Sequence, residues 1–215
     1  MTTATYSPTT TARRDASRPR EYSDFAWTAA NAEQVTVILA RYPEARRHSA
    51  IMPLLWLAQE QMGAATGSSW LPVPVIEYVA GQIGMPYMRA YEVATFYTMY
   101  NLKPIGRYLV QVCGTTPCML RGSDDLFTAC KDKGLVKGGT TADGLFTLSE
   151  VECLGACANA PMVQINADNY EDLDYTSMTA LLDALARGET PKTGSAIGRQ
   201  ASCPEGGPTS LLEMV

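Results

Sequence analysis

Two close pairs of cysteines constrain this chain more than any other feature: Cys113-Gly-Thr-Thr-Pro-Cys118 and Cys153-Leu-Gly-Ala-Cys157. Each pair begins where a strand is expected to end. The first follows the β-type run Tyr108-Leu-Val-Gln-Val-Cys113, and the second follows a strand expected over residues 145–152. Loops that leave strand ends in one small sheet can converge, so the four thiolates of Cys113, Cys118, Cys153 and Cys157 can surround a single centre. Four soft thiolates suit an iron–sulfur cluster or zinc. Structural zinc favours C-x2-C knuckles, although C-x4-C is within its range, and neither pair here matches the common ferredoxin spacings. Spacing alone favours iron–sulfur and leaves zinc open. Dithiol–disulfide chemistry is weaker, because no C-x-x-C occurs. The glycines and small residues of both loops let backbone N–H groups approach sulfur and stabilise its negative charge.

Six cysteines in a chain without the apolar core of a secretory signal do not read as a disulfide framework. Cys130, three residues after Phe127 on an expected helix, reads as a buried thiol. Cys203, in a Gly/Pro-rich ending, reads as free or facing a partner. His48 is the only histidine and lies beside Arg46 and Arg47, so no His-based catalytic or metal cluster is available. Phe96, Tyr97 and Tyr100 read as core or interface. Neither G-x-G-x-x-G nor a P-loop is present, so nucleotide binding has no motif behind it.

Apolar residues make up 46% of the 215 positions, which is enough for a core. The net charge of −5 argues against nucleic acid as a partner. No apolar run is long enough to span a bilayer, so direct membrane insertion is not expected. Residues 1–20, rich in Thr and Arg, read as a disordered tail in preference to a transit peptide. Residues 21–104 are expected to be helical. Val35, Ile38, Leu39 and Tyr42 form one stripe, and residues 51–62, 74–83 and 88–100 form further helices separated by a small-residue loop at 63–69 and by Gly84 and Pro86. After Pro104 and Gly106 the period changes. Residues 105–190 carry the order β-α-β-β-β-α, with a helix capped at Ser123 or Asp124 and an amphipathic one closed by Gly188. Residues 191–215 read as an extended tail. The fold class is α+β, a helical domain followed by a small mixed domain.

Longer stretches carry a family resemblance: Tyr91-Glu-Val-Ala-Thr-Phe-Tyr-Thr-Met-Tyr-Asn-Leu102, Val112-Cys-Gly-Thr-Thr-Pro-Cys118, Asp143-Gly-Leu-Phe-Thr-Leu148, Glu152-Cys-Leu-Gly-Ala-Cys-Ala-Asn-Ala-Pro-Met162 and Gly206-Gly-Pro-Thr-Ser-Leu211. From about Phe25 onward the chain resembles the E subunits of bacterial NADH–quinone oxidoreductase, respiratory complex I, whose mitochondrial counterpart is the flavoprotein-2 subunit. The resemblance implies a thioredoxin-like ferredoxin domain behind an N-terminal helical bundle. It also implies one [2Fe-2S] cluster on Cys113, Cys118, Cys153 and Cys157, and a non-catalytic, electron-carrying role in NADH oxidation. FMN and NADH would be bound by a larger partner subunit, with the large iron–sulfur subunit of the peripheral arm as a second neighbour. That arm lies on the cytoplasmic side of a bacterial inner membrane, or on the matrix side in mitochondria; Met1 at the start of the chain favours the bacterial setting. Related small subunits of soluble NAD-linked formate dehydrogenases and hydrogenases share the cluster motif, and the ending Gly206–Leu211 favours complex I over them. A zinc-stapled interaction module is the alternative of a different class.

Overall fold

A computed structural model of the chain describes residues 21–207 and 209–210. The tail expected over residues 1–20, and the end of the chain from Leu211, lie outside the described residues. The chain divides into two compact units between Pro104 and Ile105.

Among its described residues the first unit is helical, without strands. Helix α1 (Ala29–Ala40) starts where Thr28 Oγ1 accepts the amide of Asn31 at 3.3 Å, and it buries Val35 and Ile38. Helix α2 (Ile51–Thr66) is the central element, with Leu54, Leu55, Ala58 and Met62 packed inside. It runs on into the first part of the segment expected to be a small-residue loop, as far as Thr66. Ala64 and Ala65 are strong helix formers, and the turn is delayed until Gly67, whose φ of +78° suits a glycine stop. Helices α3 (Val73–Gln82) and α4 (Tyr87–Phe96) complete the bundle.

Helix α4 stops short of the expected Tyr100. A buried glutamine on α2 accounts for the next turn: Gln59 Nε2 donates to Met99 O at 3.1 Å, and its Oε1 accepts from Asn101 N at 2.7 Å. Tyr100 is pulled into the core and donates to Met52 O at 2.9 Å. Tertiary partners therefore satisfy backbone groups that a continued helix would have satisfied. Phe96, by contrast, is 76% exposed.

The second unit is a five-stranded mixed sheet with helices, in agreement with the α+β expectation. Strands β1 (Tyr108–Cys113), β2 (Phe146–Val151), β3 (Val163–Ile165), β4 (Asp168–Glu171) and β5 (Gly194–Ser195) lie in the order β2-β1-β3-β4-β5. The β1–β2 and β4–β5 pairs are parallel, and β3 is antiparallel to both its neighbours. Helix α5 (Thr116–Leu120) is a short piece of helix just after Cys113 and contains Cys118. Helix α6 (Ser123–Asp132) lies in the crossover to β2, and α7 (Tyr175–Ala186) follows β4. Val110, Val112, Leu126, Leu148, Val163, Met178 and Leu182 form the centre of the core. Helix α6 is not capped by Ser123 or Asp124; Gly122 takes the N-cap position, and no side chain caps it. Beyond Pro191 the chain contributes β5 and a series of turns.

Helix α7 begins with a reciprocal capping box. Asp174 Oδ1 accepts the Ser177 amide at 2.7 Å, and Ser177 Oγ accepts the Asp174 amide at 2.8 Å. The hydroxyl and amide of Ser177 hold the Asp174 carboxyl below its usual range. Asp174→Ala is expected to cost about 1 kcal/mol in urea denaturation at neutral pH. A depressed carboxyl pKa stabilises above the unfolded value, so the deficit should shrink as pH falls below about 4. A deficit that stays constant into acid would contradict this account of the cap.

Candidate iron–sulfur site

The register of β1 on β2 brings the two cysteine loops together. Cys113, the last residue of β1, pairs with Val151, the last of β2, and Cys153 lies only two residues further on. The amide of Gly114 donates to Val151 O at 3.1 Å and that of Cys113 to Met162 O at 3.4 Å, so both sides of the first loop are fixed to the segments that flank the second. Leaving β1, the chain turns into α5. Pro117 stands in its first turn, where a missing N–H costs nothing, and the helix carries Cys118 back toward Cys113.

Cys113 and Cys118 are buried with Ala160 and Met162, whereas Cys153 and Cys157 are exposed. Cys113 Sγ lies 3.3 Å from Thr115 Oγ1, and Cys153 Sγ lies 3.3 Å from Cys157 Sγ. The pairs also feel each other: Cys113 interacts electrostatically with Cys153 and Cys157, and Cys118 with Cys157. All four sequence-predicted residues are thus brought to one place.

Polar groups converge on these sulfurs. Burial works to raise the Cys113 pKa, but the Thr115 hydroxyl and amide, the Cys118 thiol and the Leu154 amide outweigh it and hold the pKa below the usual thiol value. Cys118 is pushed up to about 12, chiefly by burial and then by its hydrogen bond to Cys113, although the Met162 amide favours its thiolate. In the second loop the Gly155 amide favours the Cys153 thiolate, and Cys157 is raised because it shares a hydrogen bond with Cys153. Gly155 has φ of +88°, a conformation that a side chain would strain.

Among the described residues no three His, Cys, Asp or Glu side chains are placed to hold a single metal ion. The thiols stand as two pairs, the layout required by a binuclear centre in which each iron takes two thiolates. Amides of Leu154, Gly155 and Met162 directed at sulfur are the stabilisation that a thiolate-bound cluster uses. The donor set therefore fits a [2Fe-2S] group.

Residues 35–186 match the sequence profile of the family described as thioredoxin-like [2Fe-2S] ferredoxin. The chain belongs to the thioredoxin-like [2Fe-2S] ferredoxin family. It is 55% identical over 164 residues, 76% of its length, to the NADH-quinone oxidoreductase E subunit of Rickettsia bellii (strain RML369-C), of which it covers 95%. It is 56% identical over 160 residues to the protein of the same name from Rickettsia prowazekii (strain Madrid E), covering 74% of this chain and 88% of the relative. An NAD+-reducing [NiFe]-hydrogenase in the air-oxidized state superposes with a TM-score of 0.52 at 21% identity, over 62% of this chain and 23% of that one. That likeness shows a shared fold.

The other two cysteines lie elsewhere. Cys130 sits on α6 in the sheet core, fully buried, and burial pushes its pKa to about 12. Cys203 is half-buried in the C-terminal turns. Sequence reading did not single out Thr115, whose hydroxyl serves both Cys113 and Cys153; the pattern Thr-Thr-Pro-Cys as a helix start was the available signal. In this ferredoxin, replacing Cys113, Cys118, Cys153 or Cys157 with Ala is expected to abolish or destabilise cluster binding, while Cys130→Ala and Cys203→Ala retain it. Iron analysis and EPR check this. A Cys113→Ala protein with full iron content and the wild-type signal would contradict the ligand set.

Proposed function

We propose that this chain is the electron-carrying subunit of the NADH-oxidising module of a respiratory NADH–quinone oxidoreductase. It would hold one [2Fe-2S] cluster on Cys113, Cys118, Cys153 and Cys157, beside a separate subunit that binds FMN and NADH. The observation that carries the reading is the meeting of the two thiol pairs at adjacent ends of β1 and β2, in a chain that matches the Rickettsia oxidoreductase relatives along most of its length.

A bound [2Fe-2S] cluster supplies one-electron redox chemistry; the protein supplies ligation, burial and hydrogen bonds. Cys113 and Cys118 anchor the inner side in apolar surroundings. Cys153 and Cys157 form the open side, the one that a redox partner can approach. The amides of Leu154, Gly155 and Met162 stabilise negative charge on sulfur and so favour thiolate ligation. None of these groups performs bond-making chemistry on NADH, which fits a carrier within an oxidoreductase.

The neighbours we assign are the FMN- and NADH-bearing subunit and the large iron–sulfur subunit of the peripheral arm. The setting we assign is the cytoplasmic side of a bacterial inner membrane. No helix among the described residues is long and apolar enough to cross a membrane. We further assign residues 21–104 as a helical domain, 105–190 as the cluster domain and 191–215 as its C-terminal extension. A fragment starting at Ile105 is expected to bind iron; loss of iron with the fragment folded would count against that boundary.

Hydride delivers two electrons at once, and a flavin is needed to split the pair. The purified chain with its cluster intact is therefore expected to leave NADH unoxidised under anaerobic conditions, with no bleaching of its visible absorbance. Adding the FMN-bearing partner should allow bleaching, incomplete if the potential is near that of plant-type ferredoxins at about −400 mV. Rapid bleaching by the chain alone would contradict the carrier role.

A further inference from the structure

The loop that carries Cys153 and Cys157 has little to hold it from within. Glu152, Cys153, Gly155, Cys157 and Ala158 are all exposed. The 3-10 turn Cys157–Asn159 that follows has no side-chain cap, and its hydrogen bond from Asn159 N to Ala156 O, 3.0 Å, is local. A loop of this kind owes its conformation to partners outside it.

Those partners come from the end of β4 and from the C-terminal segment. It first joins the sheet as β5, with Tyr170 opposite Gly194 and Glu171 opposite Ser195, and Ala196 N donating to Glu171 O at 2.9 Å. Arg199 then forms an ion pair with Asp172 in which the side chains are only 8% and 4% exposed. Its Nη2 is 2.7 Å from Asp172 Oδ1 and its Nε 3.1 Å from Oδ2. The same guanidinium donates from Nη1 to Ala158 O at 3.2 Å and to Cys203 O at 3.1 Å. Ala158 is the residue next to Cys157. A second fastening lies one residue on: Asn159 Nδ2 donates to Glu171 Oε2 at 2.6 Å and to Ala201 O at 2.7 Å. Ser195 Oγ donates to Asp172 Oδ2 at 2.6 Å, and Asp172 N to Asn159 O at 2.8 Å.

A buried ion pair is a poor device for stability alone, since well-packed apolar residues often do as well. What apolar residues cannot do is grip a backbone carbonyl. Arg199 has a planar fork with enough donors to hold Asp172, the carbonyl beside a ligand, and its own chain at once. We propose that residues 194–205 form a strap for the second ligand loop, with Arg199 as the positioning residue that sets where Cys157 presents its sulfur. The proposal rests on the reading of Cys157 as a cluster ligand. The fastening is uneven: the buried bonds act on the loop of the exposed pair, and on the other side the segment reaches only Arg121, at the end of α5, through an exposed 3.9 Å pair with Glu205.

The test uses the full-length holoprotein as wild type, Arg199→Leu and Arg199→Lys, with Arg187→Leu as a control that breaks only an exposed ion pair with Glu189. Iron release to a chelator, EPR g values after dithionite reduction and the unfolding midpoint are measured on each. Arg199→Leu is expected to release iron at least about tenfold faster, the usual scale for losing an outer-shell partner. Arg199→Lys keeps a charge opposite Asp172 but lacks the fork; it should release iron several-fold faster with shifted g values and a near-wild-type unfolding midpoint. Arg187→Leu should match wild type. If Arg199→Leu does not fold, Arg199→Lys decides by the same criterion. Wild-type release and g values in the folded Arg199 variants would overturn the strap, as would faster release that only follows a lowered unfolding midpoint with g values unchanged. A wild-type chain with no [2Fe-2S] signal would instead overturn the cluster reading, and the strap with it.

Discussion

The parallel pairing of β1 with β2, in the register that sets Cys113 against Val151, is the constraint on which the site depends. A shift of that register would separate the two cysteine loops along the sheet and turn the strand side chains to opposite faces. The register is held by burial on both strands: Val110 and Val112 on β1 and Leu148 on β2 are all nearly inaccessible. At its upper end the pairing passes directly into the ligand loops, because Gly114 N still bonds Val151 O after the strands have ended. The hydrophobic core therefore does chemistry indirectly, by fixing where two strands stop.

The site is built asymmetrically on that base. Cys113 and Cys118 share a small apolar cluster with Ala160 and Met162, so their conformation is set by packing. Cys153 and Cys157 lie on an exposed loop that is tied down by hydrogen bonds to groups outside it, from Arg199 to Ala158 O and from Asn159 to Ala201 O. An electron carrier benefits from this division. The buried side protects ligation, while the exposed side stays open to a partner, and hydrogen bonds can hold it without covering it.

How much of this was legible in the sequence follows from the range of the interactions involved. The four cysteines that the fold brings together were legible because cysteine is rare and its spacing is local. The strand at 108–113 was legible from branched residues, the strand expected over 145–152 is found at 146–151, and the α7 stripe Met178, Leu181, Leu182, Leu185 was legible from its period. The end of α4 was not, because it is decided by Gln59, some forty residues away, which captures the backbone at Met99 and Asn101. The small-residue segment after Gly63 read as a loop although its alanines favour helix. The roles of Asp172 and Arg199 were hidden for the same reason as that of Gln59: two ordinary charged residues acquire meaning only when the sheet brings β4, the ligand loop and the C-terminal segment together.

Four thiolates arranged as two pairs would hold a binuclear iron–sulfur cluster. The most direct test of this is metal and acid-labile sulfide analysis of the anaerobically purified chain, combined with EPR after reduction. The account predicts iron and sulfide in equal amounts, two of each per chain as the [2Fe-2S] composition requires, a red-brown oxidised protein and a reduced-state signal from one unpaired electron. A colourless protein containing zinc in place of iron, with no signal on reduction, would contradict it.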